Sequence, residues 1–274
     1  MLRVAQVRHK PGRRCLLRYE LRVGSGPTRH REHVYGKTFA SERGSRVFQT
    51  LRTIAGVRPW GPSVAVGEPI AYLPSLRLLL QHEVEGVPSR PALLAGDEQL
   101  AAQIAEALHT LHDSAVCLER NHGLEDELAT LANRVASSRA GRPAHRCLAV
   151  VENAFERPFG WRLRPIHRDF YHEQVLVSSS GLALIDFDDA AMSEPAVDVA
   201  NFLAHLRLLA LEEPSKATAI AAASAAFAAR YGDLDAQLDP LLVRVLESAT
   251  LLRLACIHEP FAEQLINESL ARVA

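Results

Sequence analysis

The sequence predicts a mixed α+β chain in two lobes, a small antiparallel β-sheet lobe followed by a mainly helical one. Three observations predict this. The early segments alternate apolar and polar residues at the period of a strand and are separated by turn residues. A strongly apolar strand then runs from Leu76 to Val84 and stops at the breaker Glu85-Gly86-Val87-Pro88. Beyond that breaker the apolar residues recur almost throughout at helical spacing. The division expected is residues 1–86 and 87–274.

In chain order, Arg3 to Arg8 and Cys15 to Val23 read as two half-buried strands joined by a turn at Pro11-Gly12. Gly24 to Arg31 is a loop, and Glu32 to Phe39 is a third strand carrying Lys37. Ser41 is placed to cap a helix through about Ala55, with Val47, Phe48, Leu51 and Ile54 on one face. Pro59 to Pro69, rich in Gly and Pro, reads as a connector. In the second part, Asp97 caps a helix bearing Leu100, Ile104, Leu108 and Leu111. Helices follow at Leu124–Ser137, His145–Phe155, Asp198–Leu211, Ser215–Tyr231, Leu238–His258 and Phe261–Val273. The alanines from 217 to 229 point to tight helix packing. His109 and His112, three residues apart, lack a third metal-ligand candidate nearby.

The chain has 274 residues, 48% hydrophobic and 23% charged, enough for two lobes with a sizeable core. A formal charge of −1 argues against a chain-wide attraction to nucleic acid or an anionic membrane. The basic residues of the first hairpin could face phosphates or simply solvent. Cys15, Cys117, Cys147 and Cys256 are far apart, without metal-ligand spacing, and read as reduced thiols of a cytoplasmic protein. No secretory apolar region and no run of membrane-spanning length is visible, and a short leading segment could precede the abrupt start.

The chemistry concentrates in Ile166-His167-Arg168-Asp169-Phe170-Tyr171-His172-Glu173-Gln174 and in Leu184-Ile185-Asp186-Phe187-Asp188-Asp189. Between them, two short apolar runs flank a Ser-Ser-Ser-Gly turn, so the second loop should fold back on the first. Asp169 and Asp186 would then face one small volume. A pairing of acids of this kind suits a general base and a metal ligand at a phosphoryl-transfer site.

These residues resemble one branch of the protein-kinase-like fold, the aminoglycoside phosphotransferase and choline kinase family of small-molecule kinases. The family pattern is His-x-Asp, an Asn five positions after the Asp, Ile-Asp-Phe, and a small-residue stretch ending in Asp. Its counterparts are His167-Arg168-Asp169, Gln174, Ile185-Asp186-Phe187 and Glu194-Pro195-Ala196-Val197-Asp198. The resemblance is strongest over residues 160–205, and Gln174 departs from it by one methylene. It implies a kinase that uses ATP and Mg²⁺ on a hydroxyl of a small polar molecule, with a nucleotide-binding first lobe and the catalytic and metal-binding loops in the second. Asp169 is then the catalytic base, flanked by His167 and Arg168. Gln174, Asp186 and Asp188 are the metal ligands. Lys37 meets the nucleotide phosphates, and the base lies along Gln81, His82, Glu83 and Val84, on a strand edge left open if that strand ends the sheet. The lysine's usual partner is a helix glutamate, for which Glu42 is the candidate. Asp198 would cap its helix and hold the catalytic loop.

Two further readings stay open on the sequence. Gln174 and the glycine-poor hairpin also fit a nucleotide-binding pseudokinase acting through partners, and an ordinary helical binding protein is the third possibility. Glu212, Glu213, Asp233, Asp235, Glu259 and Glu263 could hold a cationic acceptor or be surface charge.

Overall fold

The computed structural model describes residues 3–25, 28–57 and 64–274. In chain order the elements are β1 (Arg3–Lys10), β2 (Arg14–Val23), β3 (His30–Phe39), α1 (Arg43–Gly56), β4 (Val64–Val66), β5 (Pro69–Leu73), β6 (Leu78–His82) and β7 (Val87–Pro88). There follow α2 (Arg90–Leu94), α3 (Glu98–His112), α4 (Leu124–Ala136), α5 (Gly141–Ala154), β8 (Arg164–Ile166), β9 (Val175–Ser178), β10 (Gly181–Leu184) and β11 (Ala191–Ser193). The chain closes with α6 (Ala196–Glu212), α7 (Ala217–Leu234), α8 (Pro240–Ala255) and α9 (Ala262–Val273). The predicted α+β class, with its antiparallel sheet first and its helices after, is what the structure has.

Two compact units result. The first comprises residues 1–87 together with 176–188, and the second comprises 88–175 and 189–274. The sequence division assigned everything after residue 86 to one lobe. The β9–β10 hairpin instead packs with the first unit, because β10 runs parallel to β4 and pairs with it from Val64 to Val66.

In the first unit an antiparallel sheet has the order β1-β2-β3-β6-β5. Val34 and Leu79 are buried on opposite faces of this sheet, and α1 buries Val47, Leu51 and Ile54. β1 was expected to be half-buried, but it is exposed on both faces, with Val4 and Val7 open to solvent. It is the sheet edge, and Arg3, Arg8 and Lys10 along it discourage further strand addition. Gly36, in mid-strand, is required by close approach: a Cβ there would lie 2.6 Å from the Tyr19 ring.

Several local expectations change. Ser41 does not cap α1; Glu42 holds the N-cap position without a side-chain hydrogen bond. Pro74–Leu76 forms a short 3₁₀ turn closed by Arg77 at φ 45°, so the apolar strand begins at Leu78. Within the expected connector, Val64–Val66 is a strand and Pro69 opens another, Pro69–Leu73, whereas residues 59–63 lie outside the described residues.

In the second unit α3 lies along α7, α6 along α8, and α8 along α9. The alanines of α7 permit the first contact, with Ala223 wholly buried. Asp97 caps α3 by accepting from Leu100 N at 2.9 Å, as its position predicted. Phe170, Phe202, Phe227 and Tyr231 stack through the core with successive centroids 5.5, 4.3 and 6.3 Å apart. This row ties the loop after β8 to helices α6 and α7. No helix among the described residues is long and apolar enough to cross a membrane.

Candidate active site

In the first unit, the third strand and the loop after β10 bring opposite charges together. Lys37, between Leu16 on β2 and Leu79 on β6 in the ladder, sends its ammonium to Asp186 Oδ1 at 2.6 Å and Asp188 Oδ1 at 2.7 Å. Its side chain is only 12% exposed, so this lysine does not lie on a solvent face. Arg14 approaches Asp188 Oδ2 at 3.4 Å, and Arg43 donates to the Asp188 backbone carbonyl at 3.2 Å. Burial opposes ionisation of Asp186, but Lys37 and Arg14 outweigh it and hold the carboxyl well below the usual carboxylate range. Burial pushes Asp188 upward against Lys37, and the neighbouring Asp186 charge adds to that push.

Asp186 sits at φ 65°. A side chain in the left-handed region costs about 1 kcal/mol or more, and the surrounding structure must impose it. Glu42, the candidate partner for the lysine, is held by Arg77 at 2.9 Å instead. It lies in the turn before α1, at the exposed end of that helix, whereas the loop after β10 supplies Lys37 with its carboxylates.

In the second unit the loop after β8 is built around Asp198. This residue lies in the first turn of α6, where the helix dipole favours a carboxylate. Its Oδ2 accepts from His167 N at 2.6 Å and its Oδ1 from Arg168 N at 2.7 Å. The expectation that Asp198 would cap its own helix is corrected: Pro195 holds the N-cap, and the carboxylate serves the loop. His112 Nε2 lies 3.0 Å from Asp198 Oδ2, and its Nδ1 lies 2.5 Å from the Tyr231 hydroxyl. A neutral His112 protonated on Nε2 satisfies both contacts, donating to Asp198 and accepting from Tyr231. Burial raises the Tyr231 pKa far above its ordinary value, so the hydroxyl remains a donor. His112 is therefore a buried link in the core.

Arg168, at φ 66°, directs its guanidinium into the helical unit. His167 is fully buried, Asp169 is half-buried, and Phe170 O accepts from Asn201 Nδ2 at 2.8 Å. Gln174 is buried at the end of a 3₁₀ turn closed by Gln174 N donating to Tyr171 O at 2.8 Å. His172 is buried beside it with Nδ1 unpartnered, and burial lowers its pKa to about 4.

The expected strand edge for a nucleotide base is corrected. β6 lies between β3 and β5, and its backbone is engaged: His82 N donates to Glu68 O and Glu83 N to His33 O. Gln81 pairs on both sides, with Tyr35 and Pro69. The Glu83 carboxylate is held by Arg18 at 2.8 Å and His33 at 2.8 Å. Glu83 and Val84 lie past the end of β6, and of these two Val84 is the farther from the ladder.

Of the acids considered for a cationic acceptor, Glu213 is paired with Arg90 and Asp235 with Arg162. Sequence reasoning missed Arg14, Arg43 and Tyr231 as site residues. The Arg14 position in the basic hairpin was the only signal available. Among the described residues, no group of three His, Cys, Asp or Glu side chains is placed to hold a metal.

Comparison with known proteins gives this arrangement a family. Residues 19–241 match the family model described as the phosphotransferase enzyme family. No curated protein matches the chain by sequence. Among solved structures, the choline kinase LicA from Streptococcus pneumoniae is similar at TM-score 0.67 and 12% identity, covering 99% of this chain and 92% of that one. A thermostable mutant of the aminoglycoside phosphotransferase APH(4)-Ia, in ternary complex with ADP and hygromycin B, is similar at TM-score 0.67 and 14% identity, with 99% and 93% covered. The aminoglycoside phosphotransferase APH(3'')-Id from Streptomyces rimosus reaches TM-score 0.61 at 16% identity, covering 94% and 92%. The chain belongs to the phosphotransferase enzyme family and is a small-molecule kinase.

Proposed function

We propose that the protein transfers the γ-phosphoryl group of ATP, with Mg²⁺, to a hydroxyl of a small polar molecule in the cytoplasm. The observation that carries this reading is the contact of Lys37 with Asp186 and Asp188, which puts a strand-borne cation against two half-buried carboxylates of the loop after β10. The solved neighbours in complex with ADP and with AMP-PNP support the choice of nucleotide.

The acids of the first unit fit magnesium. Asp186 is kept ionised and Asp188 lies beside it, both hard ligands of the type Mg²⁺ takes together with water and phosphate oxygens, and the family pattern would add the amide oxygen of Gln174. Bound there, the ion would neutralise charge on the phosphate oxygens. Lys37 would move from the carboxylates to the phosphates, with Arg14 as a second cation from the hairpin. Asp169 would accept the acceptor hydroxyl's proton and hold that oxygen in line. Asp198 fixes the backbone before Asp169, and Val84 is the place for the base.

The test is ADP release from Mg-ATP with a panel of amino alcohols, sugars, hydroxy acids and aminoglycosides. Turnover should appear with at least one acceptor and fall about 10²–10⁴-fold in Asp169→Asn. ADP release with no member of the panel, combined with unchanged nucleotide binding in Asp186→Asn, would overturn the reading.

A further inference from the structure

Behind the loop after β8, within the helical unit, a recess is lined by Glu127 and Leu131 of α4, Arg168, Asn201 of α6, and Thr250 and Arg253 of α8. Arg168 is 11% exposed in its side chain, and its Nε and Nη1 have no hydrogen-bond partner. A guanidinium cannot shed its proton, so it keeps both its charge and its unsatisfied donors. Among the described residues, Glu127 is the only carboxylate lining the recess; it lies 3.9 Å from Arg168 Nε and 2.9 Å from His122 Nε2. Arg253 Nη2 is anchored on Asn201 Oδ1 at 2.5 Å. Two guanidiniums against one carboxylate leave a surplus positive charge in a partly enclosed space.

We propose that this recess binds a small oxyanion, a carboxylate, phosphate or sulfate group, between Arg168 and Arg253. Planar guanidiniums with free N–H groups match the oxygens of such a group, and charge-assisted bonds to it supply the missing acceptors. The wall is mechanically continuous with the catalytic loop. Arg168 immediately precedes Asp169, and Asn201, which holds Arg253, also donates to Phe170 O. An occupant therefore braces the loop on both sides of Asp169. The group is either the anionic end of the acceptor or a free anion acting as effector. The first source rests on the phosphotransfer reading; binding itself does not. The pairing of Glu213 with Arg90 and Asp235 with Arg162 removes two of the acids considered for a cationic acceptor.

Titration calorimetry of the full chain with inorganic phosphate and with sulfate, at constant ionic strength against chloride and without nucleotide, tests the site. Saturable binding is expected, weakened at least about tenfold in Arg253→Met. Thr250→Val, which removes one hydroxyl from the wall, should weaken it by a smaller factor and covers the case in which Arg253→Met fails to fold. Lys37→Met should leave this affinity unchanged. No saturable binding, or binding abolished by Lys37→Met and retained in Arg253→Met, overturns the proposal. In turnover assays, phosphate competing with the acceptor identifies the acceptor's own anionic group, and a change in kcat without competition identifies an effector. Phosphate binding without any turnover leaves the site standing and removes only the phosphotransfer reading.

Discussion

Lys37 shows how one side chain acquires a role from its neighbours. On an exposed strand face it would be a solvated charge; between Leu16 and Leu79, with two acids 2.6 and 2.7 Å from its ammonium, it is the cation of a buried cluster. If it transfers to phosphates during the reaction, Lys37→Met loses charge-assisted bonds worth about 1.5–3 kcal/mol. The value of kcat/KM for ATP should then fall by about 10–100-fold in steady-state kinetics, and an unchanged value would exclude the role. His172 gives a second test at the same scale. Its pKa is lowered from 6.5 to about 4 by burial, so the folded state keeps the ring neutral while the unfolded chain binds a proton. Its contribution to stability is complete above pH 6.5 and is lost as the pH falls towards 4. That loss reaches about 3 kcal/mol, and His172→Gln should flatten the slope of urea-derived stability between those pH values.

At the scale of elements, the first turn of α6 organises the loop after β8. Asp198 accepts from two loop amides and faces His112, which Tyr231 of α7 holds from the other side. Three helices thus converge on the backbone just before Asp169. Asp198→Ala strands buried donors and should cost about 3 kcal/mol or more in urea denaturation. Tyr231→Phe removes one hydroxyl and should cost about 1 kcal/mol. It should also lower kcat while leaving the ATP KM in place, because it acts through loop position; an effect on KM alone would contradict that chain of contacts.

At the scale of the molecule, each compact unit presents its own cluster, and the chain passes between the units at residues 87–88, 175–176 and 188–189. Nucleotide and metal, binding the folded state, should stabilise it: Mg-ATP at a hundred times its dissociation constant adds about 2.7 kcal/mol. A rise in Tm with Mg-ATP that is lost on adding EDTA is the expected result, and an equal rise with EDTA present would remove the magnesium from the site.

Local spacing alone was enough for the α+β class and the long helices of the second unit, because strand alternation and helical periodicity are written over a few neighbouring residues. It was not enough for strand order. Whether β6 is an edge depends on β5, a short strand after a Gly- and Pro-rich stretch, and the pairing of β5 and the residue before it closed the edge predicted for Gln81 and His82. Nor could spacing reveal that Arg14 would reach Asp188, that His112 and Tyr231 would hold Asp198, or that Arg168 would turn two unpaired donors into a recess. Those contacts join residues more than eighty positions apart in the chain, or depend on a left-handed backbone at a residue that is not glycine. Long-range pairing and imposed strain belong to the packed chain as a whole, so no local pattern carries them.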